Sequence, residues 1–114
     1  MSEEATVAVP ASGQAEPQER KRPKRQPRYH VILWDDDDHT YEYVIRMMQE
    51  LFGHSLEKGY QIACKVDQEG RAVCLTTTRE HAELKRDQIH AYGKDRLMAT
   101  CKGSMQATIE PVQE

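Results

Sequence analysis

Residues 32–44 read ILWDDDDHTYEYV: an apolar run breaks into four consecutive carboxylates, Asp35 to Asp38, and then resumes with helical spacing. Upstream, Tyr29, Val31 and Leu33 alternate with Ile32 and Trp34 in a run rich in β-formers, which predicts a strand beginning at Tyr29. Downstream, Val44, Met47, Met48, Leu51 and Phe52 recur at the spacing of one buried helical stripe. That predicts a helix from about Tyr41 to Phe52, closed by Gly53 as a left-handed cap.

Further along, Ser55 is a natural N-cap and Glu57 suits the positive first turn of a second helix. Its stripe reads Leu56, Gly59, Tyr60, Ala63 and Val66, ending at Gly70. Arg71 to Thr76 is a short β-rich run. Thr77 with Glu80 has the form of a capping box opening a third helix, which carries Ala82, Ile89 and Tyr92 and closes at Gly93. In the last run, SMQATIE, Met105, Ala107 and Ile109 alternate before Pro111 is expected to end pairing. The order β-α-α-β-α-β predicts an α+β fold, a small, mainly antiparallel three-stranded sheet packed on three helices.

Residues 1–28 contain no aromatic residue and are rich in Pro, Ala, Gln and Glu, a composition that predicts a disordered tail. The expected organisation is that tail followed by one domain over 29–114. At 114 residues the chain has no room for a large enzyme fold. The tail holds six basic and four acidic residues, or +2, so the formal net charge of −3 leaves −5 on the remainder. An acidic domain argues against nucleic acid as its partner. The tail's basic run, Arg20 to Arg28, fits a solvated charge run better than a nucleic-acid site. Cys64, Cys74 and Cys101 are odd in number with no CxxC spacing, and no signal peptide opens the chain; free thiols in a reducing cytoplasm and no structural zinc are expected. No apolar run is long enough to span a membrane.

Why four carboxylates share one turn has several answers. A capping role at Asp38 or His39 uses one of them. An EF-hand loop starting at Asp35 fails, because its glycine and bidentate glutamate positions hold Thr40 and Arg46. Asp36-x-Asp38-x-Thr40 after a strand has the form of a phosphatase nucleophile motif. That chemistry also needs later Mg²⁺ ligands and a full parallel sheet, which the chain does not offer. The remaining answer is an organic cation: an ammonium has three N–H donors and no acceptor, and is best held by several converging oxygens.

Tyr29 to Glu110 resembles the ClpS family, adaptors that carry proteins with destabilising N-terminal residues to the Clp protease. The resemblance lies in VILWDDDDHTYEYV, the helix ending LFG, QIACKVDQEGRAVCLTTTREHAELK and SMQATIE; the segment between Tyr92 and Ser104 aligns poorly. It implies a non-enzymatic adaptor without catalytic residues, cofactor or metal. Its partners would be substrate proteins with bulky hydrophobic N-terminal residues and a Clp AAA+ ATPase of the ClpA or ClpC type.

In that family an Asn-Asp-Asp turn, with a His late in the second helix, holds the substrate's α-amino group. The matching positions here are Asp35, Asp36, Asp37 and Asp67, acidic at 35 and 67 where the family has Asn and His. The family's side-chain pocket falls on Tyr41, Val44, Ala63, Val66 and Met105. Tyr41 replaces a Met or similar residue and Ala63 a larger Met, so a roomier floor and narrower mouth are expected. From periodicity alone Val44, Val66 and Met105 read as ordinary core. ATPase docking carries over to Glu80 and Lys85, which otherwise read as surface charge and a cap. The substitutions at 35 and 67 leave a second reading open: a diverged paralogue that docks on the ATPase but has lost or altered N-terminal recognition.

Overall fold

The computed structural model describes residues 26–113, so the expected tail lies, except for its last three residues, outside the described residues. Six elements follow in the expected order: β1 (Arg28–Trp34), α1 (Tyr41–Phe52), α2 (Leu56–Glu69), β2 (Arg71–Thr78), α3 (Arg79–His90) and β3 (Ala107–Pro111). The strands form one antiparallel sheet in the order β2-β1-β3. Central β1 is flanked on both sides, and Val31, Ile32 and Leu33 in it are fully buried.

Val31 and Leu33 face the helices and pack with Val44, Met47, Met48, Ile62, Val66, Ala82 and Ile89. Ile32 points to the opposite face, opposite Val73 and Thr108. There Trp34 Nε1–H donates to Thr108 Oγ1 at 2.8 Å, and the Arg71 guanidinium lies 5.2 Å from the indole centroid.

Both expected ends of α1 hold, and Gly53 takes the left-handed conformation at φ 68° that favours glycine. Its N-cap is Thr40, whose side chain accepts from the Tyr43 N–H; neither Asp38 nor His39 caps it. α2 also has the expected ends, but Leu56 and Tyr60 are exposed and the buried face is Gly59, Ile62, Ala63 and Val66. The phase is set by Gly59, where α2 comes so close to α1 that a Cβ would stand 3.3 Å from the Ile45 Cα and carbonyl oxygen.

β2 runs on to Thr78, because Thr77 and Thr78 still pair with Tyr29 and Arg28. The cap of α3 is accordingly Thr78, accepting from the His81 N–H, while Thr77 Oγ1 meets His81 Nδ1; no Thr77–Glu80 capping box forms. α3 ends at His90 rather than near Gly93. β3 starts at Ala107, later than the alternation from Ser104 suggested, and Pro111 still lies opposite Tyr29. A proline is tolerated there because β3 is an edge strand.

Candidate functional site

The acidic turn leaves β1 where the Asp35 N–H donates to the Gly70 carbonyl at 2.9 Å, which fixes it beside the end of α2. Asp36 folds back on the turn, its Oδ1 accepting from the Asp38 N–H at 3.0 Å and lying 2.7 Å from His39 Nδ1. Next, the Thr40 N–H donates to Asp95 Oδ2, and α1 begins. Between α1 and α2 the turn opens onto a cavity of about 60 Å³. Val44, Ala63, Val66 and Met105 form its apolar walls, and Asp35, Asp36 and Asp67 bring carboxylates to its rim. Tyr41 crosses from α1 to α2: its hydroxyl donates to Asp67 Oδ2 at 2.8 Å and its ring meets Tyr60 edge-on at 5.9 Å.

The electrostatics follow from this crowding. Partial desolvation, then the charges of Asp67 and Asp37, raise the Asp35 carboxyl above the usual carboxylate range. A cation arriving between these groups relieves that repulsion. The hydrogen bond to Asp67 pushes the Tyr41 phenol up to about 12, so the hydroxyl keeps its proton and donates throughout the neutral range.

Of the residues singled out from sequence, Asp35, Asp36, Tyr41, Val44, Ala63, Val66, Asp67 and Met105 share the one cavity. Asp37 is exposed, near enough to Asp35 to raise it, but does not line the cavity. Glu80 and Lys85 lie on α3, which contributes no residue to it. Glu80 is exposed, whereas the Lys85 ammonium donates to the Leu51 carbonyl and sits 5.6 Å from the Phe52 ring centroid, serving the end of α1.

Sequence reasoning missed His39 and Thr40 as lining residues of the cavity, and the segment that ties them down from the other side. Asp95 is buried, and besides Thr40 it accepts from the Leu97 N–H at 2.9 Å. Burial pushes its carboxyl up, but the Thr40 and Leu97 N–H groups, the Thr40 hydroxyl and the His39 charge outweigh that and hold it below the usual range. The Asp95 N–H points at Cys101 Sγ, Thr100 donates to Asp38, and His39 Nε2 lies 2.7 Å from the Gly103 carbonyl. The only advance signal was an aspartate following Gly93, too common a pattern to select. The three cysteines are unpaired. Among the described residues no group of three or more His, Cys, Asp or Glu is placed to hold a metal, and no helix is long and apolar enough to cross a membrane.

The family model described as "ATP-dependent Clp protease adaptor protein ClpS" matches residues 24–99. The adapter protein ClpS of Vibrio atlanticus is 35% identical over 95 residues, covering 83% of this chain and 89% of that protein. The ClpS of Desulforapulum autotrophicum is 36% identical over 69 residues, covering 60% of this chain and 66% of the relative. For Vibrio cholerae ClpS the figures are 37% over 67 residues, 59% and 63%. The chain thus spans just under two thirds of the last two. Among solved structures, Agrobacterium tumefaciens ClpS2 bound to L-phenylalaninamide superposes with a TM-score of 0.66 at 25% identity, over 77% of this chain and 100% of that one.

Proposed function

The chain belongs to the ClpS family of ATP-dependent Clp protease adaptor proteins, and from that premise we propose that it binds proteins through bulky hydrophobic N-terminal residues and delivers them to a Clp ATPase for degradation. It acts as an adaptor and not as an enzyme, in the cytoplasm, alongside an ATPase of the ClpA or ClpC type. The observation that carries this reading is the convergence of three carboxylates on the rim of an apolar cavity. That arrangement suits an α-ammonium attached to an apolar side chain. The Agrobacterium ClpS2 ligand has this chemistry, a free α-amino group beside a benzyl side chain.

Asp35, Asp36 and Asp67 are assigned to the ammonium, with Asp37 adding charge from outside the cavity. Val44, Ala63, Val66 and Met105 receive the first side chain, and Tyr41 guards the mouth. ATPase docking is assigned to α3 through Glu80, with Lys85 shaping that face from its place over Phe52. The magnitudes are adequate. Burying one large apolar side chain contributes roughly 1.5–3 kcal/mol and each charge-assisted hydrogen bond about 1.5–3, so micromolar affinity is reachable after the cost of association.

Fluorescent peptides beginning with Phe or Leu test the reading against their N-acetylated counterparts. Acetylation is expected to abolish binding, and so is Asp36→Ala in a protein whose circular dichroism is unchanged. Equal affinity for acetylated and free peptides would remove the ammonium role. A specific observation favours the diverged-paralogue reading: Asp67, acidic where the family has a His, already has one oxygen taken by Tyr41. Capture of the ATPase without any free-amine preference would select that reading.

A further inference from the structure

His39 lies almost entirely out of solvent, its side chain 4% exposed. Its two ring nitrogens face two oxygens at the same distance, Nδ1 to Asp36 Oδ1 and Nε2 to the Gly103 carbonyl, each 2.7 Å. A carbonyl only accepts, and so does an ionised carboxylate, while a neutral imidazole has a single N–H. Both bonds together therefore require the doubly protonated ring. Asp36 Oδ1 also takes the Asp38 N–H, which leaves Oδ2 as the oxygen without an internal partner among the described residues. Gly103 stands two residues before Met105, a wall of the apolar cavity.

We propose that His39 is a positioning residue for N-terminal recognition: as an imidazolium it holds the ammonium-binding carboxylate and the Met105-bearing segment in one register. The proposal rests on the assignment of Asp36 to the ammonium. Other groups face the ring from the packed elements: the Tyr43 ring of α1 at 4.5 Å, Cys101 Sγ at 3.3 Å from Nε2, and Asp95 in the same segment; Asp35, Asp37 and Asp38 stand in the same turn. When the ring loses its second proton, one of the two bonds is lost, and a ring nitrogen and an oxygen stand 2.7 Å apart with no proton between them. Peptide affinity then falls.

Two other charges bear on the same titration. Asp35, its carboxyl raised by burial and by Asp67 and Asp37, stands at the cavity, and the peptide's α-amine loses its proton near about pH 7.7–8.0. Both are shared by a His39→Gln variant, whose amide can donate to one of the two oxygens but not both, so the comparison between the two proteins isolates the ring. Using the full chain and a fluorescent Phe-initiated peptide, His39→Gln is expected to bind about tenfold more weakly at about pH 6. The gap is expected to narrow once the pH is high enough to remove the second ring proton from the wild type.

Ring ¹⁵N spectra of the unliganded wild type supply a readout that does not depend on the variant folding. At about pH 6 both His39 nitrogens are expected to carry the imidazolium signature. A neutral single-tautomer ring there, or parallel pH profiles for the two proteins, overturns the proposal. Asp36→Ala in the same assay separates the two levels. If it binds as wild type, the ammonium assignment fails and the brace with it; if it abolishes binding while His39→Gln does not weaken it, only the brace fails.

Discussion

Residues 28–91 and 92–106 are built on different principles. In the first region each helix carries its own N-cap, Thr40, Ser55 or Thr78, and an apolar face that meets the sheet. In the second there is no helix or strand; Met105 reaches into the core, and the rest is held by local bonds and by single polar contacts to residues far away in sequence. The Thr40 N–H reaches Asp95, His39 reaches Gly103, and the Tyr43 hydroxyl donates to the Gly93 carbonyl. The cavity sits at the seam, with Val44, Ala63 and Val66 from the framework and Met105 from just before β3. Apolar burial supplies the framework's stability, and a few hydrogen bonds supply the geometry of the site.

The widest break of this contrast comes from the framework side. Met47 is fully buried in the common core. Met47→Ala removes its packing and leaves a cavity, so a loss of about 2–5 kcal/mol is expected in urea denaturation. Peptide affinity per folded molecule should change little, since Met47 does not line the cavity. A stability loss below about 1 kcal/mol would mean that the core collapses around the gap and is less tightly packed than its burial suggests.

Asp95→Asn breaks the other region. The carboxylate is only 3% exposed and accepts from two backbone N–H groups on opposite sides, which tie α1 to the segment. An amide retains one accepting oxygen, so about 1–3 kcal/mol should be lost at neutral pH, with faster amide exchange at Leu97 and Cys101 than at Met47. The pH dependence has a fixed sign. The folded-state pKa is held below the unfolded value, so this stabilisation is fully present above about pH 4 and is lost as pH falls through the lower, folded value. The difference between wild type and variant should therefore shrink in acid; a constant difference would show that shape, not charge, is what Asp95 contributes.

The framework was legible because its signals are local. The 3.6-residue stripe in α1, the glycine stops and the alternation in β1 all lie within a dozen residues of where they act. The errors were shifts of phase or of one to three residues, and two have a direct tertiary cause. Gly59 turned α2 so that Leu56 and Tyr60 face outward, and pairing with Arg28 carried β2 on to Thr78. The second region was not legible: Asp95 and Gly103 find partners 55 and 64 residues away, and no periodicity reports such a pair. The site falls between the two cases. Periodicity read Val44, Val66 and Met105 only as core, and their grouping with Asp35, Asp36 and Asp67 came from family resemblance.

Tyr41 gives the finest test of the seam, because it belongs to the framework yet acts on the site. Its hydroxyl occupies one Asp67 oxygen that the proposed ammonium site would otherwise offer, and its ring holds the edge-on contact with Tyr60. Tyr41→Phe keeps the ring and frees the oxygen. Affinity for a Phe-initiated peptide is expected to rise about two- to fivefold, with urea stability unchanged because the group is at the surface. The wild-type phenol, with its pKa near 12, keeps its proton over the whole neutral range, so this gain should not vary with pH there. Weaker binding by the variant would carry the opposite lesson. The hydroxyl would then be aiming Asp67 at the ligand rather than competing for it, and the framework, not only the polar segment, would be setting the geometry of recognition.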